Sequence, residues 1–325
     1  MIGAIAILGG GAVGLTLAAR LARAGHEVHV VTRRPEAAAA LARGLVAEDA
    51  ATGETFTVPV GAGTHVPPGL PVLCCTRGDG LDGAIAAVAA ADAETPTVTF
   101  QNDVVFERRA AARLVNVIGG VWRETCTALG DARVRFQPTR RARAVLGRFP
   151  EGRSDVVDDL AALLRSGDID VGVSERISED KWLKLCVNLT SAPNALIRRS
   201  DHCLDAFAEV KVRLLEEARA TLQAAGIVAR SCDGRDRSLD EEVAHHRESV
   251  ARGTSARAIP LYNQVWRSLR DGTPLEADGY HERIISLGAA HGVATPANRH
   301  VLRALRRAHR ARTGPEQLAA ADLLA

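Results

Sequence analysis

Apolar positions in the first half of the chain fall into short unbroken runs that alternate with longer stretches of helical spacing. Ala4-Ile5-Ala6-Ile7-Leu8 is one such run, residues 15–24 then repeat apolar positions three and four apart, and Val28-His29-Val30-Val31 is a second run. Runs too short for a helix read as strands, and the 3.6-residue stretches between them as helices. The alternation continues with an Ala-rich helix over 35–45, strands over 56–60 and 71–76, a helix over 81–91, and a strand over 96–100 that runs into Gln101-Asn102-Asp103. Residues 115–121 predict another strand, and 134–137 with 143–146 an antiparallel hairpin that finishes the sheet. After a helix over 155–166 and a short strand over 171–173 the pattern changes, and from Ser178 it is helical almost to the end. The expected fold class is α/β, with a sheet-containing domain over 1–177 and an all-helical domain over 178–325.

The first strand breaks into Gly9-Gly10-Gly11-Ala12-Val13-Gly14, a G-x-G-x-x-G turn that opens the first helix. Gly9 supplies the tight turn, Gly11 lets a pyrophosphate approach the backbone, and Gly14 lets helix and strand pack closely. The helix N-terminus then points unpaired N–H groups at an anion. Gly25 ends that helix before the second strand, so the opening reads as the βαβ unit of a Rossmann-type dinucleotide-binding domain. Behind the second strand stand Arg33 and Arg34, where an acid would accept hydrogen bonds from a ribose 2′-hydroxyl; arginines there neutralise a 2′-phosphate, which favours NADP(H). The plainer alternative is two solvated arginines before Pro35. Chemistry in open α/β sheets sits at the carboxyl ends of strands, which makes Arg77, Gln101 and Asn102 candidates; Asn102 and Asp103 also suit a turn or a helix cap.

Composition narrows the classes of function. The 325 residues are 46% hydrophobic and 25% charged, with a net charge of +2, as in an ordinary soluble globular protein. Mixed charge and 3% aromatic content give no basis for a nucleic-acid surface. No apolar stretch is long enough to span a bilayer, and the expected location is cytoplasmic. The six cysteines are scattered without a C-x-x-C pair and read as small core residues. His245-His246, flanked by Glu241, Glu242 and Glu248, lies on a charged helix with no further ligand spaced for a site, so no metal is assigned.

The helical half opens with Ser178, a fitting N-cap, followed by acids in the first turn. On this helix Trp182, Leu185, Cys186 and Leu189 share one face, while Lys184, Asn188 and Ser191 form a polar stripe that is either solvated or faces a cleft. Lys181, on the same helix, has no role assigned. Further on, Asp271-Gly272-Thr273-Pro274 is a turn that launches a helix bearing Glu276 and Asp278, and the basic run 303–310 reads as a solvated helix face.

Taken together, the G-x-G-x-x-G turn, a strand ending in Gln-Asn, a K-W-x-K-x-x-x-N helix and a late G-x-P-x-E-x-D resemble the ketopantoate reductase family over nearly the whole chain. The resemblance implies a Rossmann domain joined to a helical domain of the 6-phosphogluconate dehydrogenase-like type, with the active site in a cleft between them. The implied reaction is NADPH-dependent reduction of a 2-oxo acid to a 2-hydroxy acid, as in pantothenate biosynthesis. Lys184 matches the family's general acid, Asn102 the asparagine near nicotinamide and substrate, Asn188 a cleft asparagine, Glu276 the glutamate that orders lysine and substrate, and Arg33 the contact to the 2′-phosphate. Arg77 stands near the usual cofactor-site lysine. Asp103 replaces a glycine, Gln264 a substrate-binding serine, Leu261 and Ala192 asparagines, and His281-Glu282 an Asn-Gly. The alternatives to ketopantoate are another carbonyl substrate or a non-catalytic NADP(H)-binding redox sensor, and the sequence leaves a monomer and a homodimer both open.

Overall fold

A computed structural model describes residues 2–137, 143–251 and 263–324. The chain divides into two units, Met1–Lys181 and Trp182–Ala325.

In the first unit the strands are β1 (Ala4–Leu8), β2 (Glu27–Val31), β3 (Leu45–Asp49), β4 (Thr55–Val58), β5 (Gly61–Gly63), β6 (Val72–Cys74), β7 (Thr97–Thr99), β8 (Val117–Trp122), β9 (Thr125–Gly130), β10 (Arg133–Gln137), β11 (Arg143–Arg148) and β12 (Asp170–Val173). Among the described residues they form an eight-stranded sheet in the order β12-β11-β8-β7-β6-β1-β2-β5 and a four-stranded sheet in the order β4-β3-β10-β9. The larger sheet is parallel apart from the antiparallel β8–β11 pair. Its helices are α1 (Ala12–Arg23), α2 (Pro35–Leu41), α3 (Leu81–Asp92), α4 (Phe106–Ala111) and α5 (Asp155–Ser166).

The period of two along a strand decides which face each residue serves. Ile5 and Ile7 of β1 join the core that includes Leu15, Leu17 and Leu21 of α1 and Leu160 and Leu164 of α5. Ala6 and Leu8 turn the other way and pack with Leu81, Ile85 and Val88 of α3. Burial on both faces is why the run reads as continuously apolar rather than alternating.

The expected hairpin of 134–137 with 143–146 does not form. β10 pairs antiparallel with β9 and parallel with β3 in the smaller sheet, whereas β11 pairs with β8 and β12 in the larger one. Alternation fits β10 equally to either sheet, since it fixes only which of its faces is buried. Val134 and Phe136 are buried, while Arg133 and Arg135 both pair with Glu48 on β3, with Arg135 Nε 2.7 Å from the carboxylate. Beneath this sheet the buried Arg20 of α1 donates to Glu124 at 2.7 Å and lies 4.4 Å from the Phe136 ring centroid. The expected helix over 35–45 also ends early, at Leu41, because Gly44 takes φ +124 and turns the chain into β3.

The second unit takes in most of α6 (Ile177–Asn188), then α7 (Ser191–Leu196), α8 (Asp205–Ala224), α9 (Leu239–Ala251), α10 (Gln264–Asp271), α11 (Ala277–Ala290) and α12 (Pro296–Ala311). The α6 helix begins at Ile177, so Ser178 lies inside its first turn rather than capping it. The α12 helix buries Val301, Leu302, Ala304 and Leu305 and exposes Arg303, Arg307 and Arg310, as the basic run predicts. Cys74 and Cys186 are buried, but Cys203 and Cys232 are exposed, which corrects their reading as core residues; both sit in polar loop sequence where no apolar run requires burial.

Inside this unit His281 of α11 is fully buried, its Nδ1 2.8 Å from Asn298 Oδ1, and Asn298 Nδ2 donates in turn to Glu217 at 2.8 Å. Burial holds the imidazole down, from 6.5 to about 4, against the opposing pull of Asn298. Between those two values the unfolded chain binds the proton that the folded one refuses. The contribution is therefore complete above the unfolded value of 6.5 and is lost as pH falls towards about 4. A gap of that width corresponds to about 3 kcal/mol. Urea unfolding followed by Trp182 and Trp266 fluorescence is expected to show this loss on acidification and a flatter profile in His281→Gln; equal stability at both ends of the window would contradict it.

Candidate active site

The strand order reverses its winding between β1 and β6, and the carboxyl ends of these two strands bound the point where α/β sheets hold ligands. Gly9 leaves β1 there with φ +120, its N–H donating to Val31 O at 2.9 Å. A Cβ at Gly9 would stand 2.9 Å from the Cys75 and Thr76 main chain, and one at Gly14 would drive into the Gly9 carbonyl oxygen. Gly11 is different: nothing lies within 4 Å of where its Cβ would be, and the open space fronts the start of α1. Within the helix the first pairing is Leu15 N to Gly11 O at 2.8 Å, which leaves the N–H groups of Ala12, Val13 and Gly14 without carbonyls one turn back. Gly10 faces the Thr32 side chain at the end of β2. This cradle fits the pyrophosphate of a dinucleotide on three counts: open approach, unpaired donors and the positive end of a 12-residue helix.

The two arginines behind β2 separate in character. Arg34 pairs with Asp131 and, at 3.4 Å, with Glu36. Arg33 is exposed and makes no ion pair among the described residues. Arg77 opens the turn after β6, partly exposed, with its guanidinium 3.7 Å from Asp79.

Gln101 and Asn102 follow β7. The Gln101 side chain is buried and donates to Cys74 O at 3.2 Å and Thr76 O at 2.9 Å, tying the end of β7 to the end of β6. The Gly9 turn, Thr76-Arg77 and Gln101-Asn102 therefore lie together at the carboxyl end of the sheet. Asn102 is half-buried, and Asp103 Oδ1 accepts from Val104 N at 2.7 Å as a turn former.

A buried ionic cluster behind this loop is one that hydrophobic patterning does not reveal. Lys181 and Glu107 are 3% and 2% exposed and form an ion pair; the Lys181 ammonium also donates to Gln101 O at 2.7 Å, and Thr99 Oγ1 donates to Glu107 at 2.7 Å. Lys181 is thus no solvated surface group. One signal was available, since Lys181 stands four residues before Leu185 on the apolar stripe, where a cation needs a buried partner. The same turn of α6 is fastened by Ser174 Oγ, which donates to Asp180 at 2.7 Å, and by Ile177, whose side chain occupies space that Gly119 and Gly147 leave open on β8 and β11.

In the helical unit Lys184 and Asn188 are half-buried on α6, one turn apart. Glu276 stands at the N-cap of α11, half-buried. Gln264 is the exposed first residue of α10, its amide 3.5 Å from Ser268 Oγ, while Asn263 before it caps Trp266 N at 2.9 Å and donates to Ser191 O at 2.9 Å. An asparagine ahead of an apolar helix start is a legible cap signal that points to Asn263 rather than Gln264 as the fixed residue of this corner. Ala192 is fully buried on α7, and Leu261 lies outside the described residues.

The third lysine, Lys211 of α8, is also buried, 3.9 Å from the Phe207 ring centroid, and burial lowers its amine to about 7. The chain's 41 basic residues include only these three lysines, and Lys184 alone among them is partly exposed. Among the described residues no three His, Cys, Asp or Glu side chains are grouped to hold a metal ion, and no helix is long and apolar enough to cross a membrane.

Comparison with known proteins identifies the family of the fold. Residues 5–151 match the family model described as ketopantoate reductase PanE/ApbA, and residues 176–309 match the model of its C-terminal part. A 2-dehydropantoate 2-reductase of Caulobacter vibrioides is 28% identical over 309 residues, 92% of this chain and 96% of the relative. Among solved structures, a PanE/ApbA family ketopantoate reductase from Ralstonia eutropha JMP134 superposes with a TM-score of 0.74 at 23% identity, covering 95% of this chain and 99% of that one. A D-mandelate dehydrogenase solved with NADH and anilino(oxo)acetate superposes with a TM-score of 0.78 at 17% identity, with the same coverage. With two family models spanning most of its length and the glycine cradle at the switch point of its sheet, the chain belongs to the ketopantoate reductase family and is an oxidoreductase acting on CH–OH groups.

Proposed function

We propose that the protein uses NADPH to reduce a 2-oxo acid to the 2-hydroxy acid. The observation that carries this reading is Lys184, a half-buried lysine at the family's proton-donor position in a chain that otherwise meets solvent with arginine. When bound, the reduced dinucleotide supplies a hydride to the substrate's carbonyl carbon. The Gly9–Gly14 turn would hold the pyrophosphate, with Ala12, Val13 and Gly14 N–H groups and the α1 dipole as its donors. Lys184 would stabilise the negative charge that develops on the carbonyl oxygen and deliver the proton that makes it a hydroxyl. Glu276 would keep the ammonium charged and oriented, Asn102 and Asn188 would supply neutral hydrogen bonds, and Gln101 and Arg77 would line the cofactor side.

The cofactor preference rests on Arg33. A charge-assisted contact to the 2′-phosphate contributes on the order of 1.5–3 kcal/mol, or about tenfold to a hundredfold in affinity. NADPH is expected to bind that much more tightly than NADH, and Arg33→Ala to erase most of the difference, whereas Arg34→Ala, already engaged by Asp131 and Glu36, should matter less. Titration of each variant with both cofactors by fluorescence checks this; equal affinities in the unaltered protein would sink the assignment.

The substrate is proposed by class. Ala192 and Gln264 replace polar groups that the family resemblance associates with a hydroxyl-bearing substrate, and a missing polar partner lowers discrimination steeply. Ketopantoate is therefore expected to turn over more slowly than another 2-oxo acid. A panel of 2-oxo acids, read by the decay of NADPH absorbance, tests both statements: no turnover with any member removes the reductase reading, and ketopantoate as the best substrate by a wide margin removes the specificity reading.

A further inference from the structure

We propose that Lys181 is a positioning residue that fixes the Gln101–Asn102 main chain, and that the buried Lys181–Glu107 pair exists to hold this loop rather than to stabilise the fold. The proposal rests on the reading of Asn102 as a residue that meets nicotinamide and substrate.

Gln101 is held from two sides. Its side-chain amide donates to Cys74 O and Thr76 O at the end of β6, and its own carbonyl accepts from Lys181 Nζ at 2.7 Å. Removing the ammonium frees the carbonyl on which the next peptide, that of Asn102, turns. Glu107 answers the charge of Lys181, and Thr99 Oγ1, also 3.3 Å from Ile118 O, orients Glu107. These residues lie on β7, on the loop after it, on α4 and on the second turn of α6, so the loop is braced by three separate elements.

Energetics argue for placement as the role. A buried ion pair returns little net stability, because desolvation consumes most of the attraction, and apolar replacements of similar volume are often neutral or better. A site 2–3% exposed and surrounded by sheet and helix would accept leucine and methionine. What the apolar pair cannot supply is a charged donor to a carbonyl at a strand end, a short, directional bond. Lysine suits the site better than arginine: its compact ammonium fits between one carbonyl and one carboxylate, whereas the planar guanidinium brings five donors of which only some can be met there, so arginine keeps the charged donor at a less favourable fit.

The test compares the parent protein with Lys181→Met/Glu107→Leu. If Lys181 positions the loop, the double variant regains thermal stability close to the parent but shows amide hydrogen exchange over 101–104 faster by about tenfold and kcat lower by about tenfold at saturating NADPH, with cofactor Kd within about twofold. Lys181→Arg/Glu107→Asp, which keeps the charges and offers a donor near Gln101 O, should recover part of both losses. Exchange and kcat at the parental level in the double variant would overturn the proposal, leaving the pair a dispensable structural contact. Should the apolar variant not fold, Lys181→Gln is measured in its place: faster exchange and lower kcat support the positioning role, and parental values of both overturn it. Exchange is measured on the protein without substrate, so it decides the positioning role even if no 2-oxo acid is reduced; absence of turnover in the parent would refute the reductase reading separately.

Discussion

Lys184→Ala is expected to lower kcat by about 10²- to 10⁴-fold, the range of a positioned general acid, while NADPH affinity changes little. The affinity should hold because the pyrophosphate cradle, Gly9 to Gly14, lies in the other unit of the chain and is built from main-chain groups. Lys184→Arg separates the two jobs assigned to the amine. Arginine keeps the positive charge but does not release a proton near neutral pH, so it should restore stabilisation of the oxyanion and not proton delivery. The arginine variant is accordingly expected between alanine and parent in kcat. Parental kcat in both variants would mean that Lys184 is a solvated lysine on the polar side of a helix and that the proton comes from elsewhere.

The second large effect is on stability. Lys181→Met alone leaves the Glu107 carboxylate 2% exposed with its cation gone, and Thr99 Oγ1 remains the only described side-chain donor to it. Breaking a buried pair in this way costs about 3–5 kcal/mol. For a unit of this size the midpoint of thermal unfolding should drop on the order of 10 °C, measured by scanning calorimetry. Removing Glu107 as well should return most of the loss, and the difference between the single and double variants is the cost of the unanswered charge. A single variant as stable as the parent would show that water or a rotated side chain already satisfies Glu107.

What could be read from the sequence follows from what each signal depends on. The βαβ opening was legible because its causes are local: five apolar residues, a glycine turn, a 3.6-residue period and Gly25 all lie within one stretch. The fate of 134–137 was not, because a strand buried on one face carries the same alternation whichever sheet it joins. It lies beside β3, where Glu48, some ninety residues earlier in the chain, meets Arg133 and Arg135. Arg33 and Arg34 looked equivalent for a similar reason, since only Asp131, brought in by the second sheet, occupies one of them. The Lys181–Glu107 pair was half visible. A cation on an apolar stripe announces a missing partner, but nothing in the order of residues says that the partner is Glu107.

The distribution of basic residues has a chemical consequence. Two of the three lysines are buried and the remaining positive surface is guanidinium, so Lys184 is the one lysine side chain that the chain offers to electrophiles that seek amines. Acylation or isotopic methylation would therefore report on one side chain without any need to remove others. The same economy makes the protein fragile: a reactive acyl donor that caps a single nitrogen would erase the charge on the proposed proton donor.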